Sequence, residues 1–252
     1  MKELLDGLKY MLSSFGYLRR SKLSYVYLIS LCLIILYTIA NVNVSSYISE
    51  EITIIVDYWF GRFEMPEWLN VAVSATAKIA TSIICFMAVA TLGGSIIMIL
   101  LSPLFSHIAE KISTQLTGKK YTFSWSLLFR QILRGVGISL RNMLIQYLII
   151  FVLFFFSFFP AFGWICNIAI FVVNAFFYGF TLMDYAFETR MLSVKNSISY
   201  ANANKLSLIG LGLPFALCMF IPFVGAYLAA FVVPATVVGA TRFLNIEVED
   251  IE

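Results

Sequence analysis

Charge is scarce in this sequence. Of 252 residues, 12% are Asp, Glu, Lys or Arg, whereas 61% are hydrophobic. Soluble domains carry about twice that charged fraction, so a soluble globular fold is excluded. Histidine is nearly absent: His107 stands alone, and a histidine-rich metal site cannot be assembled. The four cysteines, Cys32, Cys85, Cys166 and Cys218, each lie singly inside an apolar run. No C-x-x-C spacing exists, which leaves them the role of small buried hydrophobes rather than metal or redox groups. The phosphate-binding G-x-x-x-x-G-K-[ST], the zinc-binding H-E-x-x-H and the nucleophile G-x-S-x-G are all missing. We therefore expect no catalytic residues, no metal, no cofactor and no nucleic-acid partner. No acid pair lies inside an apolar run, as intramembrane catalysis or proton pumping would need. The one internal cation is Lys78, read as snorkelling toward Glu64 or Glu67; a pathway role and helix pairing stay open beside it.

What the sequence has is long apolar runs. Several approach the ~20 residues that cross ~30 Å of hydrocarbon as a helix, and the alternating pattern of a membrane β-barrel is absent. The chain reads as a single all-α polytopic membrane domain over 1–252. Two runs share one design: FFPAFGWICNIAIFVVNA and FIPFVGAYLAAFVVPA. Each carries Pro-x-x-Gly, at Pro160/Gly163 and Pro222/Gly225, followed by Phe-Val-Val. Proline ends a helix and glycine readily turns a chain, so each run predicts a tight helical hairpin. Full crossing and partial insertion both fit. The expected first arms, Met143–Phe159 and Leu206–Ile221, are ~25 Å long as helices, which favours partial insertion.

In chain order, residues 1–22 form an amphipathic helix ending near Gly16, lying on the membrane surface, and a basic cluster of Arg19, Arg20 and Lys22. The first span covers 23–42 and would itself direct insertion, since no signal-peptide cleavage site follows it. An external segment, 43–68, holds a short helix over Tyr47–Phe63. The second span covers 69–102, with Ala72, Thr76 and Ala80 as a small-residue stripe. Pro103 is expected to break it. Cytoplasmic amphipathic helices fill 103–142. Hairpin one covers 143–183, a polar cytoplasmic segment 184–205, and hairpin two 206–241, with Pro214 interrupting its first arm. An acidic tail occupies 242–252. Lys and Arg concentrate before span one, after span two and between the hairpins. The positive-inside rule then places both termini in the cytoplasm.

Taken together, LLSPLFSHIAEKISTQLTG, FFPAFGW, YGFTLMDYAFETRMLSVKNS and FIPFVGAYLAAFVVPATVVGAT resemble the CysZ-type sulfate permease family of bacterial inner membranes, related to a eukaryotic etoposide-induced membrane protein family. The resemblance covers nearly the whole chain. It implies two long spanning helices, two partly inserted hairpins, homo-oligomeric assembly, and ATP-independent sulfate uptake for sulfur assimilation. In the family a glycine–apolar–arginine motif at the start of the first span binds sulfate. It aligns here with Lys22-Leu23-Ser24-Tyr25, where the glycine and the arginines are missing.

The expected anion site accordingly comprises Arg19, Arg20, Ser21, Lys22, Leu23 and Ser24. Ser21 would be the N-cap, with the Leu23 and Ser24 amides free to meet sulfate or a related anion. A pore or structural network is expected at His107, Glu110, Arg130 and Arg134, with Glu110 pairing with Arg130 or Arg134. The alternative function is a non-transporting scaffold or lipid-interacting protein of the inner membrane.

Overall fold

A computed structural model describes residues 2–62, 66–118, 125–159, 162–221 and 225–249. Among them the regular elements are helices: α1 (Lys2–Arg20), α2 (Tyr25–Phe60), α3 (Glu67–Thr117), α4 (Trp125–Ser157), α5 (Gly163–Thr189), α6 (Val194–Ala203), α7 (Lys205–Met219) and α8 (Gly225–Glu249). Five stretches are long and apolar enough to cross a bilayer: Tyr25–Phe60, Glu67–Met87, Leu133–Ser157, Gly163–Thr189 and Tyr227–Ile246. The chain is an all-α multi-pass membrane protein. It divides into two compact units, Ser30–Ser102 and the remainder.

Several expected boundaries move. The first apolar helix does not end at Val42 but runs on to Phe60, through the stretch expected to hold only a short helix over Tyr47–Phe63. Pro103 lies inside α3 and Pro214 inside α7 without ending either helix. Neighbouring helices and local backbone adjustment re-satisfy the carbonyl that a proline leaves unpaired, so proline is weak punctuation in membrane helices. The helix α1 passes Gly16 and continues to Arg20. Most consequential is length. With 33 residues in α4 and 27 in α5, both arms of hairpin one suffice for a crossing, which removes the short-arm argument there. Only α7, with 15 residues, stays short at ~22 Å.

The larger unit is built on α1, α5, α7 and α8. Glycines allow close approach at three of the contacts between them: α5 with α7, α1 with α7 and α1 with α8. A Cβ on Gly179 of α5 would collide with the Leu208 carbonyl of α7, and one on Gly212 of α7 with the backbone of Ala175 and Gly179. Gly7 of α1 meets Ser207, Gly210 of α7 meets Leu4 and Leu8, and Gly239 of α8 meets Met11. Without a difference in hydrophobicity between lipid and protein, membrane helices associate through such close backbone approach. As a result α1 buries Gly7, Met11, Ser14 and Leu18 among helices. It leaves Leu5 and Leu12 exposed. A helix expected to lie only on the bilayer surface is thus part of the protein core. The end of α3 adds buried Phe105, Ile108 and Ile112 to this unit, and Phe105 meets Tyr185 edge to face at 5.6 Å.

The smaller unit pairs the rest of α2 with the first part of α3 in antiparallel fashion. Tyr37 donates to the Val89 carbonyl (3.3 Å), while Ser74 donates to Asp57 Oδ1 (2.8 Å). Lys78 Nζ lies 3.7 Å from Asp57 Oδ2, so the partner of this lysine is Asp57 rather than Glu67. Glu64 lies outside the described residues. Asn41, Ser45 and Ser49 form a buried stripe four residues apart. The Ser45 and Ser49 hydroxyls return to their own helix, donating to Val42 and Ser46 carbonyls. Polarity in this stretch therefore marks one helical face rather than a loop.

Candidate functional site

The turn between α1 and α2 is set by one backbone conformation. Lys22 has φ +55°, the left-handed region where glycine is ordinarily found. Its N–H donates to the Arg19 carbonyl (3.3 Å), and the Leu23 N–H donates to the Leu18 carbonyl (3.0 Å). These two bonds define a Schellman C-cap, completed by the hydrophobic pair Leu18 and Leu23, both fully buried. The same device ends α5: Met191 has φ +52°, and Met191 and Leu192 donate to the Glu188 and Phe187 carbonyls.

This corrects the expected anion site. The Leu23 amide is not available, because it caps α1. Ser21 is not the N-cap of α2; its hydroxyl faces Gln115 Oε1 at 3.3 Å. The residue before α2 is Ser24, and among the described residues the Ser24 and Tyr25 N–H groups have no backbone acceptor. Such orphan amides at a helix start favour anions. Arg19, Arg20, Lys22 and Ser24 are exposed, Ser21 is half-buried and Leu23 is buried. The turn therefore presents two amides without a backbone acceptor beside three exposed cations.

A second polar group lies where α4, α5 and α6 meet. Arg134 Nη2 lies 2.9 Å from Asp184 Oδ1, with Nη1 3.4 Å from Oδ2. Nε donates to the Leu192 carbonyl (2.8 Å) and Nη2 also to Ser197 Oγ (2.7 Å). One guanidinium thus fastens four segments in a largely buried position. Beside it Ser106 of α3 donates to Glu188 Oε2 at 2.8 Å. Glu188 is within Coulombic reach of Asp184, Arg134 and Glu110.

The expected pairing of Glu110 with Arg134 is not formed; Arg134 is engaged instead by the buried Asp184. Among the described residues Glu110 takes part in no ion pair, and His107 is exposed. The Arg130 side chain lies outside the described ones. Asp184 and Glu188 were missed because their segment looked like a solvated loop; their four-residue spacing on a helix was the available signal.

Pro160 and Pro222 lie outside the described residues. Gly163 and Gly225 start α5 and α8, but neither has positive φ; among the described glycines Gly118 alone does. Their role is close approach. A Cβ on Gly163 would meet the Ser157 carbonyl oxygen at 2.7 Å, and one on Gly225 would collide with the Cys218 carbonyl.

A glycine-packed bundle with five stretches long enough to span a bilayer defines a polytopic membrane protein. The family described as sulfate transporter CysZ/etoposide-induced protein 2.4 matches residues 10–229. The chain belongs to that family. No curated protein matches the sequence.

Proposed function

We propose that this chain is an ATP-independent permease or channel for sulfate or a related small inorganic anion, placed in the inner membrane and supplying sulfur assimilation. The observation that carries this reading is the α1–α2 turn, seen in a chain of this family. There the orphan amides of Ser24 and Tyr25 adjoin exposed Arg20 and Lys22. A divalent oxyanion needs donors and positive charge and no covalent chemistry, and backbone amides with cationic side chains supply both. Arg19 faces outward as a headgroup contact. The Arg134 network acts as structural support for α4, α5 and α6, the helices of hairpin one and its exit. Both termini are cytoplasmic, and the protein works as a homo-oligomer in contact with membrane lipid.

One observation favours a second reading. The glycine and the arginines of the resembling family's sulfate-binding motif are missing at Lys22-Leu23-Ser24-Tyr25, which suits a non-transporting scaffold of the same fold. Radiolabelled sulfate uptake into vesicles containing the protein separates the two. Uptake above that of protein-free vesicles supports the permease; equal uptake supports the scaffold.

A further inference from the structure

We propose that Arg242 on α8 forms, with the polar face of α1, a binding site for a tetrahedral oxyanion, separate from the α1–α2 turn. Three arginines have described side-chain hydrogen bonds in the larger unit with residues on other elements, and they differ in what remains open. Arg134 has its donors directed at Asp184, Leu192 and Ser197. Arg190 directs Nε and Nη2 at Asn245 Oδ1, at 3.1 and 2.9 Å. Arg242 uses only Nη1, donating to Ser13 Oγ at 2.8 Å and, more weakly, to Ser14 Oγ at 3.5 Å. Its Nε and Nη2 have no acceptor among the described residues, and no described carboxylate pairs with it.

The guanidinium is nevertheless fixed in place. Its carbon lies 4.7 Å from the Tyr17 ring centroid and 5.7 Å from that of Tyr10. The two serines that hold Nη1 donate their own protons to the Tyr10 carbonyl, at 3.0 and 2.6 Å, so they act toward the arginine only as acceptors. Below it, Gly239 brings α8 against the α1 backbone at Met11, and Tyr10 packs edge to face on Phe243 at 5.5 Å. The helix pair therefore sets the arginine with little freedom left to lose.

A fixed guanidinium with a free Nε/Nη2 edge matches two oxygens of one phosphate or sulfate group in a bidentate fork. The aromatic rings hold the cation without neutralising it. Ser13 is exposed and Arg242 half-buried, so a ligand can reach that edge. A free inorganic ion and a phospholipid headgroup present the same chemistry.

The test uses the full-length protein carrying Arg20→Gln and Lys22→Gln, which removes the two cations flanking the turn, and reads the site from what Arg242 substitutions change against that background. Thermal unfolding in uncharged detergent is followed at fixed ionic strength while sodium sulfate, sodium phosphate or short-chain phosphatidylglycerol is added. Saturable stabilisation is expected from at least one of them. Arg242→Gln and Arg242→Lys should each weaken its apparent affinity by roughly tenfold, since both lose the fork. Lys195→Gln, an equal loss of charge elsewhere, should leave it unchanged. Saturation by the inorganic ions assigns a free oxyanion; saturation by the lipid alone assigns a headgroup. Should Arg242→Gln fail to fold, Arg242→Lys, which retains the charge, gives the same reading. Absence of saturable stabilisation by all three ligands, or unchanged affinity in Arg242→Lys, overturns the proposal.

Discussion

Arg134 of α4 and Asp184 of α5 form a close ion pair, 2.9 Å between Nη2 and Oδ1, in which both side chains are largely withdrawn from solvent. Removing one member leaves the other charged and without its partner. Arg134→Gln or Asp184→Asn should each cost about 3–5 kcal/mol, the range for breaking a buried pair. A double-mutant cycle between them should show coupling above about 1 kcal/mol, while the Glu110→Gln and Arg134→Gln cycle should show much less. Equal coupling in both cycles would mean that Arg134 is shared with Glu110.

Where α5 crosses α7, Gly179 and Gly212 leave no room for a side chain. Gly179→Ala or Gly212→Ala should lower stability by about 1–3 kcal/mol or more through overpacking. Gly16 has nothing within 4 Å of an added Cβ, so Gly16→Ala should stabilise α1 by about 0.5–1 kcal/mol. Chemical unfolding of the three variants in one detergent makes the comparison. Equal tolerance at all three positions would remove the glycine contacts as the basis of the bundle.

The Schellman turn at Lys22 makes a prediction against intuition. Lys22→Gly should be more stable than Lys22→Ala by about 1 kcal/mol, because glycine occupies positive φ without strain. The same difference is expected between Met191→Gly and Met191→Ala. Matching stabilities within each pair would mean that the left-handed conformation is not held in the bilayer.

The class of fold was readable from composition and run length. What escaped reading follows from three physical causes. Proline signals failed at Pro103 and Pro214, since a helix surrounded by other helices tolerates a missing hydrogen bond. Glycine signals misled in both directions. Gly163 and Gly225 serve close approach rather than a left-handed turn, whereas the left-handed positions at the ends of α1 and α5 are Lys22 and Met191. Polar residues also concealed helix. Asn41, Ser45 and Ser49 line one face of α2, and Asp184 and Glu188 one face of α5. A polar stretch in a membrane protein resembles a loop until its partner face is known. The basic cluster before the first span was visible as charge, but which amides stand free there depended on the α1 cap.

Orientation has its own test. Cysteine at Glu51, which is exposed, should react with a membrane-impermeant reagent added outside. Cysteine at Asn196, also exposed, should react only from the cytoplasmic side. Labelling of the Asn196 position from outside would reverse the assigned topology.

The central claim is that the α1–α2 turn admits an oxyanion to a transport path. It is tested most directly by initial rates of radiolabelled sulfate uptake into proteoliposomes holding equal amounts of folded wild type or the Arg20→Gln/Lys22→Gln double variant, with sulfite, thiosulfate and phosphate as competitors. Wild type should exceed protein-free vesicles, and the double variant should lose uptake by roughly tenfold as charge-assisted donors are removed. Arg19→Gln should have a much smaller effect. Wild-type uptake no greater than that of empty vesicles, or unchanged uptake in the double variant, would contradict the account.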